Sequence, residues 1–74
     1  MKVAVIDMGT NTFHLIIAQI SEGKYELILR ERQAVKIGEK GINEGFITPE
    51  AQQRAVDAMV DFRKKIDAHH VEHV

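Results

Sequence analysis

Val3-Ala4-Val5-Ile6-Asp7-Met8-Gly9-Thr10-Asn11-Thr12-Phe13-His14-Leu15-Ile16-Ile17-Ala18-Gln19-Ile20 decides the fold of this 74-residue chain. A short apolar, β-branched run ends in an acid, is stopped by a polar Gly-Thr-Asn-Thr turn, and resumes as a second apolar run. The reading is a strand over residues 2–8, a tight turn, and an antiparallel return strand over 13–20. Nearly every side chain of the return strand is apolar, as in a strand covered on both faces, and His14 is its one ionisable group.

Working outward, Ser21-Glu22-Gly23-Lys24 reads as a turn. Tyr25, Leu27 and Leu29 then alternate with Glu26, Ile28 and Arg30, the period of a half-exposed third strand over 24–33. From Val35 to Ile47 the pattern dissolves into Gly38, Gly41 and Gly45 among charged residues, a loop long enough to suspect a functional flap. Thr48, Pro49 and Glu50 then supply an N-cap, a first-turn proline and a first-turn acid. A helix over 49–70 follows, with Ala51, Ala55, Ala58, Met59, Phe62 and Ile66 on one stripe. Glu50 to Arg54 and Asp61 to Lys65 are i,i+4 pairs expected on its wet side. Val71 to Val74 read as the stub of a next strand, so the chain is expected to stop at an element boundary.

Composition narrows the function classes. Ten basic residues against eleven acidic ones give a net charge of −1, with no basic stripe for nucleic acid. No apolar run is long enough for a membrane span, so no membrane partner is expected and the cytoplasm is the default compartment. With no cysteine, neither a disulfide nor a thiolate metal site is available.

The turn carries the chemistry. Gly9 lets backbone approach an anion, and the N–H groups and side chains of Thr10, Asn11 and Thr12 can donate to phosphate oxygens. Asp7 stands where a carboxylate would hold Mg²⁺ directly or through water. The competing reading is a turn whose Asn and Thr merely satisfy its own backbone, and local chemistry leaves the two level. His14 is read as packed on the outer sheet face ahead of a proton shuttle or substrate contact. Arg32 and Arg54 are read as surface ion pairs ahead of phosphate contacts. His69, His70 and His73 suggest a metal site only if the helix continues, and placement at a helix C-terminus accounts for them more simply.

Val5-Ile6-Asp7-Met8-Gly9-Thr10-Asn11-Thr12-Phe13-His14-Leu15 resembles the opening motif of the Ppx/GppA phosphatases, of the actin-like, sugar-kinase and Hsp70 ATPase superfamily. The resemblance continues through Arg32, Ile37-Gly38-Glu39, Gly45-Phe46-Ile47-Thr48-Pro49-Glu50-Ala51, Arg54 and Phe62. It implies that residues 1–74 are the amino-terminal part of a ribonuclease-H-like α/β domain, a three-stranded antiparallel meander plus one helix. It implies hydrolysis of a phosphoanhydride in polyphosphate or guanosine pentaphosphate, with Mg²⁺ as cofactor. Asp7 would be the metal or water ligand, and Gly9, Thr10, Asn11 and Thr12 would cradle a phosphate. In the family the catalytic glutamate and a second glycine-rich loop come later and have no counterpart here, so this chain is expected to be inactive alone. An ATP-using kinase of the same superfamily and a non-catalytic interaction module are the rival readings. Finally, the superfamily's first strand is interior, so Val3 to Ile6 is expected to leave an unpaired edge through which copies of the chain associate.

Overall fold

The structure is a computed structural model and describes residues 1–38 and 47–74. Strands β1 (Lys2–Met8), β2 (Thr12–Ser21) and β3 (Lys24–Ala34) form one antiparallel sheet in the order β1-β2-β3, and helix α1 spans Pro49–Ala68. The meander and helix expected from the sequence are present. Gly41 and Gly45 of the suspected flap lie outside the described residues.

Alternation along β2 sets the two sheet faces. Phe13, Leu15 and Ile17 are buried toward α1, while His14, Ile16 and Ala18 point to the opposite, outer face and are half-buried. Both faces were expected to be covered; within these residues only one is, and Val5, Ile20, Tyr25 and Leu27 stand exposed. Helix α1 lays Ala51, Ala58, Phe62 and Ile66 onto Ala4, Phe13, Leu15 and Ile17, with Ala55 and Met59 partly buried beside them. Val35, expected in the loop, is fully buried in the same core.

The alternation expected for β3 breaks midway. The β2–β3 register shifts between Ile17 and Ala18, so Ile17 opposes Leu29 while Ala18 opposes Leu27. Ile28 is the extra residue of a bulge, and one extra residue moves every later side chain to the other face. Leu29 therefore joins the core, and Leu27 is left exposed on the outer face.

Both helix ends are capped. Thr48 is extended at φ −63° and ψ 152°, and its hydroxyl accepts from the Ala51 N–H at 3.2 Å. At the other end His70 adopts a left-handed φ of 55°. Its N–H donates to Asp67 O at 3.2 Å and the Val71 N–H donates to Ile66 O at 3.3 Å, the paired bonds of a Schellman stop. Val71 packs onto the core, and Lys2 Nζ donates to the His69 carbonyl at 3.0 Å. The helix thus ends at Ala68 rather than residue 70, so His69 and His73 share no helical face.

The stub after the helix returns to β1. Ala4 N–H donates to His73 O at 2.8 Å and Glu72 N–H donates to Lys2 O at 3.1 Å, around a parallel bridge between Val3 and His73. The expected open edge is therefore half covered. Among the described residues no backbone partner reaches the Ala4 carbonyl or Ile6 on that edge. On the same flank an apolar groove of about 540 Å³ is lined by Met8, Phe13, Val56, Met59 and Val60.

Asp61 and Lys65 form their i,i+4 pair, 2.7 Å apart, but turned toward the sheet rather than toward water. The Lys65 ammonium also bonds Glu31 of β3, and Gln33 donates to Asp61 at 3.0 Å. The reason is phase, since Glu31 and Gln33 share the helix-facing side of β3 with Leu29. The Lys65 hydrogen bond holds the Asp61 carboxyl below its ordinary value, aided by the charges of Lys65 and Lys64 and by Gln33 and opposed by partial desolvation. Asp61 and Glu31 in turn raise the Lys65 ammonium above its ordinary value.

The signs give a pH profile. A depressed carboxyl contributes stability above its unfolded value of about 3.9, lost as pH falls through the folded one. A raised ammonium contributes stability below about 10.4, lost as pH climbs through its folded value. Thermal midpoints followed by circular dichroism are expected to fall at both extremes. Lys65→Met should abolish the alkaline fall and flatten the acid one; an unchanged profile in the variant would refute this assignment.

Candidate phosphate-binding site

The two hairpin turns of the meander differ. Glu22 and Gly23 both have positive φ, 50° and 76°, the mirror-image turn that matches strand twist. Thr10 and Asn11, at the other end of the sheet, do not adopt positive φ. Their carbonyls are bound elsewhere. The Asn11 carbonyl accepts from the Val35 N–H at 2.8 Å and the Lys36 N–H at 3.0 Å, and the Thr10 carbonyl accepts from the Gly38 N–H at 3.1 Å. Segment 35–38 therefore holds the turn open from one side.

The consequence is an uneven division of backbone polarity. The carbonyls of Thr10 and Asn11 are consumed by the protein, whereas their N–H groups donate to no acceptor among the described residues. Such an array of N–H groups is the donor set an anion needs. Gly9 donates to the Thr12 carbonyl at 3.1 Å, and a Cβ on Gly9 would sit 3.2 Å from that same oxygen. A side chain at Gly9 would need that oxygen to give by a few tenths of an ångström, so glycine suits the closeness of the turn to itself, and it also leaves the approach open.

Asp7, next to last in β1, is exposed and directly opposite His14, which is in turn opposite Arg32. The three form one cross-strand row on the outer face next to the turn, with His14 half-buried at its centre. A depression of about 320 Å³ there is lined by His14, Arg30, Glu31 and Arg32. The sheet thus brings together Asp7, Gly9 to Thr12, His14 and Arg32 at one end.

Arg54 makes contacts that its reading as a surface ion pair did not include. Its Nε donates to the Val35 carbonyl at 2.7 Å and its terminal nitrogen to the Lys36 carbonyl at 3.2 Å. It clamps from the helix the same two residues whose N–H groups hold Asn11. Lys36 was not singled out by the sequence at all. It lies at φ 50° and lines a depression of about 470 Å³ with Asn11, Thr12, Ala34 and Gly38. A left-handed lysine leaves no mark in composition or periodicity.

A three-stranded antiparallel meander backed by one helix is the arrangement of an actin-like ATPase-type fold. The profile of the Ppx/GppA phosphatase family matches residues 16–74. An exopolyphosphatase from Cytophaga hutchinsonii superposes with a TM-score of 0.96 at 47% identity, over 100% of this chain and 24% of that one. The Ppx/GppA family member of Aquifex aeolicus superposes with a TM-score of 0.94 at 32% identity, over 100% of this chain and 24% of that one. Exopolyphosphatase 2 of Mycobacterium tuberculosis is 34% identical over 77 residues, 99% of this chain and 24% of that protein. The chain belongs to the Ppx/GppA phosphatase family, and it spans about a quarter of the length of these relatives.

Proposed function

We propose that residues 1–74 are the amino-terminal part of the first actin-like domain of a phosphoanhydride hydrolase, and that the turn after β1 holds a substrate phosphate. The substrate class is inorganic polyphosphate, with guanosine pentaphosphate as the alternative, and the setting is the cytoplasm. The carrying observation is the turn itself, whose Thr10 and Asn11 carbonyls are bound to segment 35–38 while the N–H groups of the same two residues meet no acceptor among the described residues. No helix among the described residues is long and apolar enough to cross a membrane.

The metal in this reading is Mg²⁺ at Asp7. Among the described residues Asp7 is the carboxylate beside the turn. That suits Mg²⁺, which keeps several waters and shares one or two carboxylates with substrate phosphates. The ion would supply charge neutralisation for the phosphate; Asp7 would hold it or its water.

One hairpin supplies a partial donor set and no closing cleft, so binding of orthophosphate by this chain is expected at about millimolar affinity, without turnover. Phosphate release from polyphosphate above an Asp7→Ala control would refute the assignment of the catalytic base to a later part of the protein.

The β1 edge adds a second expectation, association of copies of the chain. Ile6 offers unpaired backbone beside the apolar groove, and such edges recruit strands. Sedimentation at high micromolar concentration should show dimers or larger species, reduced by Val5→Lys. A stable wild-type monomer would mean that Glu72 and His73 cover enough of the edge.

A further inference from the structure

Both backbone groups of Lys36 are fixed: its N–H donates to the Asn11 carbonyl at 3.0 Å, and its carbonyl accepts from Arg54 at 3.2 Å. Its φ of 50° is a conformation that is unfavourable for a non-glycine residue and persists only where the surroundings impose it. The left-handed step makes the Val35 and Lys36 N–H groups converge on one oxygen. It also roots the lysine side chain beside the turn rather than leaving it on a free loop.

The depression that Lys36 lines is bounded by Asn11 and Thr12 on the turn and by Gly38 on the facing segment. At about 470 Å³ it has room for more than the single phosphoryl group a two-residue turn can grip. The turn contributes neutral donors, and the charged group beside it, Asp7, is an acid. Among the described residues lining this depression Lys36 is the cation, and its ammonium has no acidic partner among them. A linear phosphoanhydride carries about one negative charge per internal phosphoryl group. It therefore needs a cation one group along from the turn, and a lysine point charge on a flexible stem suits a chain that must slide.

We propose that Lys36 binds the phosphoryl group adjacent to the one held by the turn, making the Asn11–Lys36–Gly38 depression a second subsite for a linear phosphate chain. This rests on the hairpin being a phosphate site, and the experiment separates the two. The amides of the uniformly labelled chain are followed by NMR at constant ionic strength during titration with orthophosphate and, separately, tripolyphosphate. Wild type, Lys36→Gln, Lys36→Arg and Lys24→Gln are compared, Lys24 lying at the far hairpin. Orthophosphate should shift Gly9 to Thr12 with the same affinity in all four. Tripolyphosphate should bind wild type, Lys36→Arg and Lys24→Gln about five- to tenfold more tightly than it binds Lys36→Gln. Equal tripolyphosphate affinity in Lys36→Gln and Lys24→Gln, with the hairpin amides still shifting, overturns the subsite and leaves the hairpin reading standing. Absence of any shift at Gly9 to Thr12 in wild type overturns both.

Discussion

Phe62→Ala is expected to leave the chain without a cooperative fold at 25 °C. Phe62 is fully buried in the middle of α1, against β2 residues that are themselves fully or nearly fully buried. Truncating a buried phenylalanine costs about 3–5 kcal/mol, the transfer of the ring plus the cavity it leaves. A chain of this size holds on the order of 5 kcal/mol in all, with no cysteine for a disulfide to make up the loss. Thermal unfolding by far-ultraviolet circular dichroism should show the midpoint lowered by more than about 15 °C or the transition lost. Phe62→Leu keeps most of the volume and should cost about 1 kcal/mol. A Phe62→Ala chain melting within a few degrees of wild type would mean that the sheet is stable without its helix, and that the core has been misplaced.

That core was legible on its helical side, which is periodic. The stripe from Ala51 to Ile66 carries its face in the spacing of its apolar residues, whereas β2, apolar nearly throughout, read as covered on both faces and did not announce that Phe13, Leu15 and Ile17 are the side chains turned to the helix. The candidate site was legible only in its residue types. Asp7 and Gly9 to Thr12 announce donors and an acid, but the division of the turn's polarity, with the Thr10 and Asn11 carbonyls taken by Val35, Lys36 and Gly38, shows only in the fold. Those contacts join residues 24 to 28 positions apart, and no local pattern encodes them. The bulge at Ile17 and Ala18 was hidden for a related reason, because Ile28 is as apolar as its neighbours and an inserted residue shows only in the pairing. For Arg54 an i,i+4 partner, Glu50, was in view in the sequence, and the backbone carbonyls it clamps were not.

The clamp ties stability to the candidate site through one side chain. Helix α1 is held to the sheet by apolar contact, and segment 35–36 links the helix to the turn after β1, its carbonyls facing Arg54 and its N–H groups facing Asn11. A rigid donor fork is the side chain that can hold two successive carbonyls at once. The turn's geometry is thus set by the helix at second hand, which places Arg54 as a positioning residue rather than a ligand of the phosphate.

Arg54→Met is the test with the second-largest expected effect. It removes two charge-assisted hydrogen bonds to half-buried backbone and should cost about 2–3 kcal/mol, more than a surface ion pair would. Arg54→Lys should recover little, because an ammonium cannot reproduce the fork. The distinguishing readout is local. Hydrogen exchange at Val35 and Lys36, whose N–H groups bond Asn11, should accelerate beyond the change in global stability, while exchange in the middle of the β1–β2 pairing should track global unfolding alone. A purely structural arginine would move all of these amides together. Unchanged protection at Val35 and Lys36 in Arg54→Met would show that the turn holds itself, and that the helix has no part in presenting Thr10 and Asn11.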